Sequence, residues 1–210
     1  LKPEELDPSV TASVPVFLSR DNRYFQDVFQ GTPRHGYTKM FENMIANRNI
    51  SFLLQTNYKD IINDVKFNKI IYTGPIDDFF DEVFGVLPYR SLRFEFETFD
   101  CEHYQQTAQI NYPNNQSFTR ITEYKKLTMQ QHHKTTVSLE FPQQFVKNIN
   151  EPYYPIPKKE NHEMAKRYKD EAEKIKSSVV FCGRLADYQY YNMDQVVARA
   201  LHVFENQIAG

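Results

Sequence analysis

Leu92, Phe94 and Phe96 alternate with Arg93, Glu95 and Glu97, the period of a strand that buries one face. Ala108, Ile110 and Tyr112 repeat the pattern, as do Val137, Leu139 and Phe141, and Thr119 to Tyr124 is a further candidate strand. Turn residues such as Pro113-Asn114-Asn115 separate these runs. The middle third therefore predicts an antiparallel sheet. The flanks carry other periods. Tyr37, Met40, Phe41, Met44 and Ile45 recur at helical spacing, which predicts a helix over 37–46 behind Gly36. Two short apolar runs, Ile50 to Leu54 and Lys69 to Thr73, read as strands, and Gly74-Pro75 stops the second. Asn161 reads as the cap of a polar helix that runs to Lys176. Val179-Val180-Phe181 reads as a buried strand. Val196, Val197, Ala200, Leu201 and Phe204 then predict a closing helix, with Asn192 at its N-cap and Gln195 at capping-box spacing.

The order is an α/β piece, an antiparallel sheet, and a second α/β piece. A strand and helix that return after an excursion imply one discontinuous layer. The predicted class is α/β with an inserted antiparallel sheet, an α+β arrangement. The boundaries expected are a linker over 1–36, a discontinuous α/β domain over 37–80 and 177–210, and a sheet domain with a helix over 81–176. Leu1 to Pro15 is polar and holds three prolines, as a linker would. The chain begins at Leu1, and a fragment of a longer protein is the expectation.

Composition narrows the function classes. A net charge of -2 and a pI near 6.3 give no general affinity for nucleic acid or anionic membrane. No apolar run approaches the length that spans a bilayer, so no membrane insertion is expected. Cys101 and Cys182 lie far apart without metal spacing; one disulfide is compatible, and free thiols in a reducing compartment are favoured. His132 and His133 are adjacent, so a strand would point them to opposite faces. No other cluster has ligand spacing, and no metal site is expected.

The chemistry concentrates between Cys182 and Gln195. A strand ending in Gly183-Arg184 feeds a helix N-terminus, where backbone N–H groups and the helix dipole favour an anion. Arg184 adds a guanidinium, and Tyr190 and Tyr191 add phenol rings. Such a loop suits a phosphate.

Five segments in order carry a family resemblance. They are Asp21-Asn22-Arg23-Tyr24-Phe25, Ile71-Tyr72-Thr73-Gly74-Pro75-Ile76-Asp77, Phe84-Gly85-Val86-Leu87-Pro88-Tyr89-Arg90-Ser91-Leu92, Glu151-Pro152-Tyr153-Tyr154-Pro155, and the loop from Gly183 to Gln195. Together they resemble UDP-galactopyranose mutase, a flavin-dependent isomerase. The resemblance covers the C-terminal portion of such an enzyme. Family members begin with a strand, a Gly-x-Gly-x-x-Gly turn and a helix that hold the FAD pyrophosphate, and this sequence has no such glycine pattern. Truncation is the expectation, with part of a Rossmann-like FAD layer beside a substrate-facing sheet, and without activity of the fragment alone.

The resemblance implies interconversion of UDP-galactopyranose and UDP-galactofuranose in the cytoplasm through a flavin–sugar adduct, with FAD in its reduced form as cofactor. A homodimer is compatible with it. Arg184 matches an arginine at the flavin, and the resemblance counts Arg184 and Arg120 as catalytic. Tyr190, Tyr154 or its neighbour Tyr153, and Arg120 match contacts to the substrate diphosphate. Tyr191, Asn192, Met193, Asp194 and Gln195 match the approach of the helix N-terminus to FAD. Phe17 stands where the family carries arginine on a mobile substrate loop, Phe29 where it has tyrosine, and Asn192 where it has aspartate. Arg20, three residues after Phe17, is the candidate replacement for the mobile cation. These departures keep two alternatives open: a non-catalytic nucleotide-sugar or protein-binding module, and a mutase for another UDP-hexose.

Overall fold

The computed structural model describes residues 18–20, 26–113 and 115–209. Phe17 and the segment Asp21-Asn22-Arg23-Tyr24-Phe25 lie outside them. In chain order the first elements are α1 (Gly36–Ile45), α2 (Tyr58–Ile61), β1 (Ile70–Tyr72), α3 (Ile76–Phe79) and β2 (Tyr89–Phe99). Next come β3 (Gln109–Asn111), β4 (Arg120–Glu123), α4 (Tyr124–Thr128), β5 (Thr135–Gln144) and β6 (Tyr154–Pro155). The chain closes with α5 (Lys159–Lys174), β7 (Val179–Phe181) and α6 (Met193–Val203), which runs into a π-helical turn at Phe204–Ile208. The architecture is mixed: a two-stranded parallel sheet, β1-β7, and a five-stranded antiparallel sheet in the order β3-β4-β5-β2-β6.

The described residues form two compact units, one within 67–92 and 142–210, the other within 17–66 and 93–141. In the first unit β1 and β7 pair in parallel, with Ile70 opposite Val179 and Tyr72 opposite Phe181. Both strands are short apolar runs; β7 buries Val179 and Val180, whereas Ile71 of β1 is 52% exposed. Residues from Phe67 onward share this unit with β7. The core gathers Ile76, Leu87, Tyr89, Ala165, Tyr168 and Tyr188, each at most 2% exposed. Ala165 and Tyr168 lie three residues apart on α5 and so share one helical face. The Tyr168 hydroxyl donates to Gly85 O at 2.7 Å and accepts from Phe84 N at 3.0 Å, which satisfies a buried phenol on both sides.

In the second unit Ile110 faces Ile121 across β3 and β4, and Ile121 faces Leu139 across β4 and β5. Val137 and Ile121 are buried, and so are their polar neighbours Thr122, Glu123 and Ser138. On β2, Leu92 and Phe94 are half-buried but Phe96 is 64% exposed, so the predicted inward face ends before the strand does.

Two expectations are corrected. Ile50 to Leu54 is not a strand. Phe52, Leu53 and Leu54 are exposed, no described strand pairs with them, and Gln55 turns the backbone to φ 54°. Apolar side chains alone do not make a strand without a hydrogen-bonding neighbour. Asn161 is not the cap of its helix either. α5 begins two residues earlier, after Lys158, and Asn161 is buried with its amide donating to Ile156 O at 2.8 Å.

Candidate functional site

The loop between β7 and α6 is built in two stages. Gly183 adopts φ +113°, a conformation L side chains rarely take. A tight turn follows, in which Asp187 N donates to Gly183 O at 2.8 Å and Gln189 N to Arg184 O at 3.0 Å. The chain then enters α6 through Asn192, whose N–H donates to Gln195 Oε1 at 2.8 Å within a capping box. The predicted cap therefore forms. The turn lies between strand and helix, and the Gly183 N–H is taken by Asp187 Oδ2 at 3.2 Å. That donor is committed within the turn.

Arg184 sits at the centre of a five-residue cluster. Its Nε donates to Tyr191 O at 3.1 Å, its Nη2 to the same carbonyl, and its Nη1 to Tyr153 O at 3.3 Å. The guanidinium carbon lies 4.8 Å from the centroid of the Tyr154 ring and 5.6 Å from that of Tyr190, within cation–π range. The two rings are stacked, 5.4 Å apart with an interplanar angle of 23°. β6 delivers Tyr154 by pairing with β2, where Tyr154 stands opposite Arg90. Neighbouring residues of a strand face opposite ways, and Tyr153 contributes its carbonyl where Tyr154 contributes its ring. Three of the five guanidinium N–H groups are committed, which leaves two unused among the described residues.

A charged pair stands behind this loop. Arg199 of α6 grips Asp187 through two bonds of 3.1 Å, Nε to Oδ2 and Nη2 to Oδ1. The two side chains are 28% and 13% exposed. Burial pushes the Tyr191 hydroxyl up, reinforced by the Asp187 charge. Burial likewise raises the Cys182 thiol, so at neutral pH it is a packed neutral group rather than a nucleophile. Neither cysteine forms a disulfide. Among the described residues no group of three or more His, Cys, Asp or Glu side chains is placed to hold a metal ion. No described helix is long and apolar enough to cross a membrane.

The other predicted residues lie as follows. Met193 is 68% exposed in the first turn of α6, with Asp194 and Gln195 exposed beside it. Arg120 belongs to the second unit. Its Nε donates to Asn111 Oδ1 at 2.9 Å, and its Nη1 lies 3.7 Å from Glu140 Oε2. Phe29 is 94% exposed and Arg20 is exposed, both in the second unit. The structure thus brings Arg184, Tyr153, Tyr154, Tyr190 and Tyr191 together within one unit.

Sequence reasoning passed over the buried supports of the site. Asp77 accepts from Leu87 N at 2.9 Å and from the Tyr89 hydroxyl at 2.8 Å. The Tyr188 hydroxyl donates to Pro88 O at 2.7 Å. The signal was present in Gly74-Pro75-Ile76-Asp77 and Leu87-Pro88-Tyr89, because a carboxylate beside an apolar run is seldom buried without donors.

The family model described as UDP-galactopyranose mutase matches residues 1–190. The chain belongs to this mutase family. A UDP-galactopyranose mutase of Mycoplasma genitalium is 39% identical over 209 residues, covering 91% of this chain and 51% of that protein. A dTDP-fucopyranose mutase of Escherichia coli is 32% identical over 207 residues, covering 96% of this chain and 55% of that protein. The chain therefore spans about half the length of these mutase relatives. Among solved structures, a crystal structure of reduced UDP-galactopyranose mutase superposes with a TM-score of 0.53 at 13% identity, covering 68% of this chain and 43% of that one. That likeness is one of fold, over the matched part of each chain.

Proposed function

We propose that this chain forms part of a flavin-dependent isomerase that interconverts UDP-galactopyranose and UDP-galactofuranose in the cytoplasm. The observation that carries the reading is the Arg184 guanidinium held against the stacked Tyr154 and Tyr190 rings, in a loop that matches the family. A cation with two N–H groups unused among the described residues suits a diphosphate or the polar edge of an anionic ring. Stacked phenols give a flat apolar surface with hydroxyls at its rim. These donors fit FAD as well as a nucleotide sugar; we assign Arg184 to both the cofactor's polar edge and the substrate diphosphate, and the first turn of α6 from Asn192 to Gln195 to the cofactor. When bound, reduced FAD would supply the nucleophile for the anomeric carbon. The β1-β7 pair with α6 is our candidate for the Rossmann-like part of its binding layer.

In this reading the protein's own residues bind and orient. The hydroxyls of Tyr154 and Tyr190 donate to diphosphate oxygens, and Arg184 stabilises the charge that gathers as UDP leaves. The assignment of Arg120 to the diphosphate rests on the family match alone.

The test is a calorimetric titration of the 210-residue chain with UDP, beside an assay for conversion of UDP-galactofuranose under reduced flavin. Arg184→Ala should weaken UDP binding, since a charge-assisted hydrogen bond contributes about 1.5–3 kcal/mol. Tyr190→Phe, which removes one hydroxyl, should cost less. Equal UDP affinity in parent and Arg184→Ala would remove this assignment. A second reading, a mutase for another nucleotide-bound hexose, is favoured by the dTDP-fucopyranose relative. Competition between UDP- and dTDP-hexoses in the same titration separates the two.

A further inference from the structure

Asp187 closes the turn that contains Arg184. Its Oδ2 accepts from Gly183 N at 3.2 Å, while its own N–H donates to Gly183 O at 2.8 Å, so both polar groups of Gly183 are held by one residue. Arg199 fixes the same carboxylate from α6 with a two-pronged grip and extends Nη2 to Phe181 O, 3.5 Å away at the end of β7. Three segments meet at this guanidinium: the last residue of the strand, the turn, and the closing helix. Among the described residues, the hydrogen bonds of Arg199 go to Asp187 and Phe181 and none to Tyr154 or Tyr190. Arg184 lies one residue from Gly183, and its direction follows the φ +113° of that glycine. A turn released from Asp187 can relax this backbone angle and swing the guanidinium off the two rings.

We propose that Arg199 is a positioning residue for the site: acting through Asp187, it sets the backbone at Gly183 so that Arg184 points between Tyr153, Tyr191 and the stacked rings. The consequence for ligand binding rests on the functional reading above; the geometric consequence does not. Two fixed bonds need the planar fork of arginine. Lysine supplies a charge and one donor direction, and methionine supplies only the stem.

The experiment compares Arg199→Met, Arg199→Lys and Asp187→Asn with the parent chain by three readouts. The first is solvent exchange of the Arg184 Nε–H by nitrogen-15 NMR without ligand, which reports its bond to Tyr191 O. The second is UDP affinity by calorimetry. The third is thermal stability. Tyr168→Phe serves as the control, because among the described residues its hydroxyl bonds only Gly85 O and Phe84 N and none of the groups that link Arg199 to Arg184. Arg199→Met should lose the exchange protection of the Arg184 Nε–H and weaken UDP binding about tenfold, the loss of one charge-assisted bond. Arg199→Lys should recover part of both, and Asp187→Asn should resemble Arg199→Met. Tyr168→Phe should melt earlier with exchange protection and UDP affinity unchanged. The proposal is overturned if Arg199→Met, or Asp187→Asn should Arg199→Met not fold, lowers stability while Arg184 stays protected and UDP binds as in the parent. If the parent itself does not bind UDP, the functional reading fails, and the Nε–H exchange alone decides whether Arg199 positions Arg184.

Discussion

Tyr89 donates its hydroxyl to Asp77 Oδ1 at 2.8 Å inside the core of the first unit. The second carboxylate oxygen takes Leu87 N at 2.9 Å, so α3 is tied to the start of β2 through one buried carboxyl. Burial pushes the Asp77 carboxyl up, and its two donors only partly offset this. Tyr89→Phe leaves Oδ1 buried without a donor and should destabilise the protein by about 1–3 kcal/mol, read as a lower urea midpoint. The pH sign follows from the direction of the shift. A carboxyl raised in the folded state binds protons more tightly there, so its contribution is present below the ordinary aspartate value and falls as pH rises through the raised one. Asp77→Asn should remove that decline from the stability profile.

Glu123 in the second unit behaves in the opposite sense. It is fully buried, and burial alone would raise its carboxyl. The Thr135 hydroxyl at 2.7 Å and the backbone N–H groups of Tyr104 and Gln105, each at 3.1 Å, together with the Lys126 charge, outweigh burial and leave it lowered. Its contribution is present above the ordinary glutamate value of 4.5 and is lost as pH falls through the lowered one. Glu123→Gln should therefore flatten the acid limb of a denaturation series and cost about 1–3 kcal/mol near neutral pH. An unchanged acid limb would show that Glu123 is not the linked group.

The sheet was legible because period-two alternation is a local signal, and β2 to β5 lie where it places them. The helix beginning after Asn192 was legible for the same reason, since a cap and its box span four residues. Ile50 to Leu54 misled because a strand needs a neighbour, which no short window reveals. The resemblance brought Arg184, Tyr154 and Tyr190 forward, but the sequence hid that Tyr154 supplies a ring and Tyr153 a carbonyl. Asp187 and Arg199 were equally silent, because twelve residues and a turn separate the partners of that pair.

Gly74 offers a test of local packing. A Cβ added there would meet the Tyr72 hydroxyl oxygen at 2.6 Å and Cζ at 2.8 Å. The Tyr72 ring is itself lodged against Phe79 and Phe181, at centroid distances of 5.0 and 5.8 Å. It cannot move aside without disturbing both. Gly74→Ala should cost about 1–3 kcal/mol, the usual penalty of overpacking. Gly74→Ala combined with Tyr72→Leu, which vacates the clashing atoms, should lose less than the two single costs added. Simple additivity in that cycle would mean that the side chains do not collide.

Arg120 separates a structural role from a ligand role. Its partners are cross-strand neighbours, Asn111 on β3 and Glu140 on β5, in direct register. The Arg120 side chain is 37% exposed, and such pairs contribute at most about 1 kcal/mol. Arg120→Ala should therefore change the urea midpoint only slightly. If the family role at the diphosphate applies, the same substitution should weaken UDP binding by about 1.5–3 kcal/mol, the value of a charge-assisted bond. Glu140→Gln sharpens the comparison. It removes the competing carboxylate and leaves the guanidinium in place, so UDP affinity should hold or rise while any loss of stability matches that of Arg120→Ala. Should both variants lose stability alike and bind UDP like the parent, Arg120 is a cross-strand tie of the sheet and leaves the list of diphosphate ligands.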